Sequence, residues 1–408
     1  MAKKNPKFLI ILAAIVFTGC GTKTVNTYDA LTIDILKNYP KKEISLQSVA
    51  DVEYVALETT DDVLLGDDCR LTYISDNYIV VWEALNGISV FNRNGKAVTH
   101  ISNRGGGPGE HYIIRGIVFD ENNEEVFVLD HQSFYEIHVH SLTGKYKRTL
   151  KYSEDLKNIK IYDFDDETLL VYDETGLLPG LDNISHELQK TPYMFLSKKD
   201  GSIVSTLNIT LPVRLPYNVI GAVNIDGQSM RNTSFIIYPS IFTVKNGDNF
   251  VIADVSSDTI YMLTKDKELT PFINRTPSVH SSSVIKTLTA CLLTDNFMLL
   301  DKRIFNFSDH NIINNTVYNP VLLMYEFESG LTSEVKFVDD DFPAKTWNPG
   351  GYRGSRVSSP QKNVAASLFQ MSSLYETYER KELRGDLEKL VATLDEYANP
   401  IIMIVKFK

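Results

Sequence analysis

The sequence predicts an all-β chain folded as a six-bladed β-propeller, with a helical insertion near the C-terminus and the ring closed between the terminal strands. Three observations carry this. A unit of two short apolar strands and a marked turn recurs along the chain. The strands are apolar without alternation, and the chain ends on an apolar run that needs partners.

The unit is plain in the middle of the chain. Residues 78–82 (YIVVW) lead to 88–91 and the turn Asn94-Gly95-Lys96, and 126–129 lead to 137–140 and Thr143-Gly144-Lys145. Residues 169–172 lead across an insertion to 193–196 and Asp200-Gly201. Residues 250–253 lead to 260–263, and 297–300 lead across another insertion to 321–325 and Ser329-Gly330. Short β-branched and aromatic runs bounded by Asn, Asp and Gly are strands joined by hairpins. Continuous apolar runs require burial of both strand faces, as when sheets stack on neighbouring sheets. A period of about 40 to 50 residues is that of four-stranded propeller blades. The longer gap between the third and fourth units holds insertions at 177–190 and 212–232.

Five units are visible, and a sixth is assembled from the two ends. Residues 43–58 include the strand-like Val52-Glu53-Tyr54-Val55-Ala56-Leu57, and 401–407 (IIMIVKF) read as a strand. Pairing them in one blade closes the ring and removes exposed sheet edges. Residues 363–369 are expected to supply the inner strand of that blade. Leu387, Leu390, Val391 and Leu394 fall at helical spacing, Asn399-Pro400 stops the helix, and a shorter helix is expected over 372–381. The β pattern is thus interrupted at about 372–398.

The first nineteen residues stand apart from the fold. Lys3, Lys4 and Lys7 precede the short apolar stretch 8–17, and Thr18-Gly19-Cys20 follows. An apolar run this short, basic before and polar after, reads as a signal peptide at 1–19 rather than a membrane span. Small residues running into a cysteine resemble a bacterial lipobox, with Phe17 where Leu is usual. Cys20 is then the lipidated first residue of the mature chain and its anchor to a membrane. The polar stretch 20–42 is expected to be a tether, and 43–408 the propeller domain. Gly21-Thr22-Lys23-Thr24 lacks the acidic run that resembles an export signal to the outer face of Bacteroidota cells. An outer-membrane lipoprotein facing the periplasm is the expectation.

The formal net charge is −11, and removing 1–19 takes three lysines and no acid, which leaves −14. That balance excludes a basic footprint for nucleic acid and a polybasic patch for anionic lipid. Cys69 and Cys291 alone do not make a disulfide scaffold, and their separation in space decides whether they pair.

Three segments carry a family resemblance: Arg104-Gly105-Gly106-Gly107-Pro108-Gly109-Glu110, Tyr54-Val55-Ala56-Leu57-Glu58-Thr59 and Asn399-Pro400-Ile401-Ile402. In this order, across nearly the whole mature chain, they resemble the six-bladed β-propeller lipoproteins common in Bacteroidota. The aromatic usual after Gly-Pro-Gly-Glu is replaced by His111, with Tyr112 next. The resemblance implies the fold and the cell envelope, and it implies no activity, because that family is largely uncharacterised.

Candidate chemistry is sparse. A dinucleotide fingerprint needs a helix after its glycines, whereas strand-like sequence (113–119) follows these, and no Gly-Lys-Ser/Thr is present for a P-loop. The glycines read as an inter-blade loop. Were the loop at the mouth of the ring, its candidate ligand contacts are Arg104, Gly107, Pro108, Gly109, Glu110 and His111. His138 and His140 alternate on a strand and share a face; with His131 they mimic a three-histidine metal site, though a polar outer strand face explains them as well. The acidic clusters Asp339-Asp340-Asp341, Asp163-Phe164-Asp165-Asp166 and Asp61-Asp62 lack a calcium-loop pattern and read as solvated turns. Gly-x-Ser-x-Gly is absent, and neither cysteine has a visible activating partner. No catalytic residue, metal or cofactor is assigned.

The expected function is a membrane-anchored binding or scaffold module whose loops capture an envelope protein, peptide or glycan. Tyr193, Tyr217, Tyr238, Tyr318, Trp347 and Tyr352 offer contact area, or else pack the blades. The alternative is a lactonase-like, metal-dependent hydrolase or lyase using the central channel, by analogy of fold alone. It requires acidic, Asn or His side chains that converge around an ion.

Overall fold

A computed structural model describes residues 30–175, 191–211, 213–215, 218–224, 230–236, 243–282, 284–305, 321–349 and 357–408. Six antiparallel blades form a β-propeller. Blade 1 is Arg70–Ile74, Tyr78–Glu83, Gly87–Asn92 and Ala97–Ile101; blade 2 is Ile114–Asp120, Glu125–Asp130, Glu136–Ser141 and Tyr146–Lys151. Blade 3 is Ile159–Asp163, Thr168–Asp173, Tyr193–Ser197 and Ile203–Thr206; blade 4 is Thr243–Asn246, Asn249–Ile252, Thr259–Leu263 and Leu269–Thr276. Blade 5 is Ile285–Leu293, Phe297–Phe305, Val321–Glu326 and Thr332–Val338. Inside the expected insertion between blades 3 and 4, Asn218–Asn224 and Met230–Ile236 make a separate hairpin.

Blade 6 joins the two ends. Ile401–Phe407 lies between Val364–Phe369 and Ala50–Ala56, antiparallel to both, with Ile401 opposite Ala56 and Phe407 opposite Ala50. Val364–Phe369 is a strand as expected, at the inner edge of this three-stranded sheet. Ahead of it, Ser358 pairs in parallel with Tyr73 of blade 1: Ser358 N–H donates to Thr72 O at 2.9 Å and Ile74 N–H to Ser358 O at 3.1 Å.

Burial explains the continuous apolar runs. Successive residues of the second strands face opposite neighbours: Ile79 and Val81 pack towards blade 6, Val80 and Trp82 towards blade 2. The same holds around the circle. Phe127 and Val139 meet Leu169 and Val171; Tyr172 and Phe195 meet Phe250 and Ile252; Val251 meets Leu300; and Leu299 and Phe337 meet Ile401 and Met403. Each apolar layer lies between two blades, so each blade needs both neighbours to bury its faces.

Turn glycines lock these neighbours at the rim. Gly95, Gly144 and Gly201 hold φ of +81°, +79° and +85°, each beside a register shift in the hairpin it closes. That is a turn ending in a left-handed bulge residue, which favours glycine. Each also presses on the outer strand of the preceding blade: a Cβ on Gly95 would stand 2.1 Å from Ala56 O, and one on Gly201 2.7 Å from Lys151 O.

The N-terminal segment extends the architecture. Leu31–Asp34 adds in parallel to the outer strand of blade 4, and Lys41–Ser45 to that of blade 5. Ile33 and Ile35 are buried there against Ile273. Residues 31–42 therefore belong to the folded body, although the sequence reading placed them in the tether. Three helices are described: α1 (Leu46–Val49), α2 (Met371–Glu379) and α3 (Gly385–Val391). The last two fill the expected insertion and bury Leu374, Leu387 and Val391 between blades 5 and 6. Among the described residues, no helix is long and apolar enough to cross a membrane.

Alternating strand direction puts two sets of connections on opposite faces. One face carries short turns, such as 75–77, 121–124, 164–167, 247–248 and 294–296, between first and second strands. The longest described connections on the other are 57–69, 102–113 and 370–400, the last holding the two longer helices.

Candidate functional site

The inner edges of all six blades meet around a cavity of about 180 Å³. Its wall is mostly apolar, from Ile117, Phe119, Ile161, Val244, Leu292 and Val364, with Tyr73, Asp163, Lys245, Cys291 and Ser358 among the other lining residues. A space of this size holds one small ring or a few waters. Lys245 Nζ stands 3.6 Å from Asp163, which also receives Lys198 Nζ at 2.7 Å; the same ammonium reaches Asp120 at 2.5 Å. Burial works against the Lys198 ammonium, yet Asp163 and Asp120 outweigh it and its pKa is raised. The chain Asp120–Lys198–Asp163–Lys245 ties blades 2, 3 and 4 at the short-turn end. Asp163 is thus an ion-pair partner rather than a solvated turn residue.

A second acidic set was visible in the sequence and went unread. Glu83, Asp130 and Asp173 end the second strands of blades 1, 2 and 3, Asp254 lies two residues past that of blade 4, Asp301 lies within that of blade 5, and all five are buried. Four accept backbone N–H groups of nearby loops: Glu83 from Gly66 (2.9 Å), Asp130 from Ile113 (2.9 Å), Asp173 from Thr175 (2.8 Å) and Asp254 from Ser256 (2.8 Å). Asp301 instead holds Arg303 Nε at 2.9 Å. These acids shape the loops at the long-connection face. Burial raises the Asp173 pKa, and its buried Oδ2 has no hydrogen-bond partner among the described residues. Among the described residues, no three His, Cys, Asp or Glu side chains are placed to hold one metal ion.

The glycine-rich loop does not reach the cavity. It folds over the outer half of blade 2, where a Cβ on Gly109 (φ +77°) would stand 2.2 Å from Tyr146 Cδ2. Of the six candidate contacts, Arg104, Pro108 and Glu110 are exposed, Gly107 is half-buried, and Gly109 and His111 point inward. The Glu110 carboxylate is already used, accepting Gly107 N–H at 2.7 Å. A position at the mouth of the ring is therefore corrected; the twist of the blade carries the loop outward.

Beneath it lies a buried histidine cluster. His138 and His140 share a face as expected, but the third member is His111 from the loop, whereas His131 is exposed. His138 is held at Nδ1 by Thr149 Oγ1 (3.0 Å) and at Nε2 by Ser133 Oγ (3.1 Å). Asn103 Nδ2 donates to Gly144 O at 3.2 Å and lies 3.4 Å from His140 Nδ1. Among the described residues, His111 Nδ1 and His140 Nε2 have no hydrogen-bond partner. Burial lowers all three pKa values, His140 to about 4.

The profile of a family described as a domain of unknown function, DUF4934, matches residues 30–406. The chain belongs to the DUF4934 family. Among solved structures, it is similar to a protein described as exported from Bacteroides fragilis NCTC 9343, at 14% identity, a TM-score of 0.60 and coverage of 93% of this chain and 99% of that one. It is also similar to a protein of unknown function from Bacteroides thetaiotaomicron VPI-5482, at 11% identity, a TM-score of 0.40 and coverage of 88% and 76%. The likeness to the first shows the fold. No curated protein matches.

Within this DUF4934 chain, the segments that carried the resemblance are structural. Asn399 is fully buried; its Oδ1 accepts Leu65 N–H and its Nδ2 donates to Glu58 O and Val63 O, each at 2.8 Å. It pins the connection from blade 6 to blade 1. Asp339, expected in a solvated turn, is buried and accepts from Tyr54 Oη at 3.0 Å and Gln47 Nε2 at 2.7 Å. Cys69 and Cys291 are both buried and no disulfide joins them, and burial pushes the Cys69 thiol up to about 11. Tyr193 and Trp347 are buried packing residues. Cys20, Tyr217, Tyr238, Tyr318, Tyr352 and the insertion 177–190 lie outside the described residues.

Proposed function

We propose that this protein is a lipid-anchored envelope module that captures a protein, peptide or glycan on the long-connection face of its ring. The observation that carries the reading is the asymmetry of the connections. Short turns close one face, while the longest described connections, 57–69, 102–113 and the helix-bearing 370–400, lie on the other. A rigid scaffold that spends its chain length on one face presents a binding surface there. The cavity supports the same choice, because its charged groups are committed to each other. An envelope location is supported by the signal-like start of the chain and by the similar Bacteroides fragilis protein described as exported. Cys20 is the proposed anchor, with the ring facing the periplasm.

Two experiments test this. Cys20→Ser should release the protein from the membrane fraction; unchanged fractionation contradicts the anchor. Affinity capture from envelope extracts should recover partners that are lost when connections 177–189 and 307–319 are shortened. Those partners should persist when the opposite-face turns 75–77 and 294–296 are substituted. Equal recovery from both variants contradicts the proposed face.

A further inference from the structure

The glycine-rich connection between blades 1 and 2 is a small folded unit with a narrow neck. His111 N–H donates to Asn103 O at 2.8 Å and Gly105 N–H to His111 O at 3.2 Å, so residues 103 and 111 lie side by side. Beyond the neck the loop bonds to itself, with Glu110 N–H donating to Gly107 O at 3.0 Å and Gly107 N–H to the Glu110 carboxylate at 2.7 Å. At the neck the unit docks on blade 2. His111 is buried there, and the Asn103 amide reaches Gly144 O.

Asn103 also fixes which nitrogen of His140 is bare. Its Nδ2 carries two hydrogens, one directed at Gly144 O (3.2 Å) and the other at His140 Nδ1 (3.4 Å). Neutral His140 therefore accepts at Nδ1 and carries its proton on Nε2. A proton taken up from solvent goes to Nδ1, where donor then meets donor. The new Nδ1–H turns to Gly144 O, the acceptor that Asn103 already uses. Around His140, His138 lies on the same strand, His111 on the loop, and Tyr146 on the outer strand with ring centroids 6.0 Å apart. Asp130 acts on His111 and His138, and Glu136 on His138, and both acids favour protonation of those rings. Glu125 is committed to Lys147 and Arg148, and on the outer strand of blade 1 His100 is held by Ser89 Oγ at 2.9 Å.

We propose that this connection is an acid-operated latch: a proton on His140 Nδ1 displaces Asn103 from Gly144 O and frees residues 103–111 from blade 2 while the ring stays closed. Burial holds the latched His140 down to about 4, against Gly144 O, which favours the charged ring. Freed, the imidazole titrates at about 6.5, so opening takes up a proton as the pH falls below that value. A drop from pH 7.5 to pH 5 makes opening about 30-fold more frequent. The latch concerns the loop itself and stands whether or not the long-connection face captures a partner.

The test is amide exchange at residues 103–111 at pH 7.5 and pH 5, corrected for the intrinsic effect of pH on exchange. Protection there should fall tenfold or more at the lower pH. At both values it should stay well below that of Ile401–Phe407, the mark of local opening. His140→Asn places an amide oxygen where Nδ1 stood, an acceptor that does not titrate. It should cut the fall to less than a third, with protection at Ile401–Phe407 reporting in the same samples that the variant is folded. Independently, imidazole nitrogen shifts of the unaltered protein at pH 7.5 should place the His140 proton on Nε2. Protection of the loop that ignores pH, that equals that of Ile401–Phe407, or that falls as far in His140→Asn overturns the proposal, as does a His140 proton on Nδ1 at pH 7.5.

Discussion

Met403 lies opposite Tyr54 in the antiparallel pairing that brings the last strand of the chain against a strand near its start. Tyr54 in turn donates its hydroxyl hydrogen to the buried carboxylate of Asp339, just past the outer strand of blade 5. One side chain thus links the closing blade to its neighbour. The same blade buries Ile402 and Ile404 against blade 1 and Ile401 and Met403 against blade 5.

Asn399 should be the most sensitive polar position at the closure. Asn399→Ala removes three hydrogen bonds and takes from Leu65 N–H and Glu58 O the partner that Asn399 supplies, while Val63 O keeps Thr60 N–H, an expected loss of about 1–3 kcal/mol. Asn399→Asp should be worse, since a carboxylate would face two carbonyl oxygens. Urea denaturation midpoints would check the order.

Lys198 should be irreplaceable by an apolar residue of its length. Lys198→Met strands the buried Asp120 without its ammonium partner, and removing one member of a buried pair costs about 3–5 kcal/mol. Adding Asp120→Asn should recover part of that loss in thermal melts.

Gly109→Ala should destabilise through the meeting with Tyr146 and through its positive φ. Tyr146→Ala in the same chain should relieve the first cause and not the second, so the double variant should lose less than the sum of the singles. Chemical denaturation of the four proteins measures the coupling.

The histidine cluster predicts acid lability. Unfolded imidazoles titrate near 6.5, whereas His111, His138 and His140 take up protons at lower pH when folded. The unfolded chain therefore binds more protons below about pH 6.5, and stability falls as pH drops from there to about 4, where His140 titrates folded. Neighbouring charge moderates this: Asp130 favours protonation of His111 and His138, and Glu136 that of His138, while the histidines disfavour one another. His140 alone contributes on the order of 3 kcal/mol across that window. His140→Phe should move the acid-unfolding midpoint down, read by near-ultraviolet circular dichroism. An unmoved midpoint contradicts it.

The blades were legible because their strands are buried on both faces, which writes long apolar runs such as 78–82 and 401–407 into the sequence. The belt strands were not. Leu31–Asp34 buries only Ile33, and Lys41–Ser45 buries no residue fully, so neither writes an apolar run into the sequence. The position of the glycine-rich loop depends on blade twist, which strand patterns do not encode. His111 joins His138 and His140 across a fold contact, so proximity in sequence pointed to His131 instead. The buried acids Glu83, Asp130 and Asp173, which end the second strands of blades 1 to 3, form a repeat that period alone reveals.

Amide hydrogen exchange at Ile401–Phe407 tests the ring most directly. Flanked by strands on both sides and buried between blades 5 and 1, these amides should be among the slowest in the protein, exchanging only with global unfolding. Exchange at the rate of an unstructured tail would contradict closure of the ring by this strand.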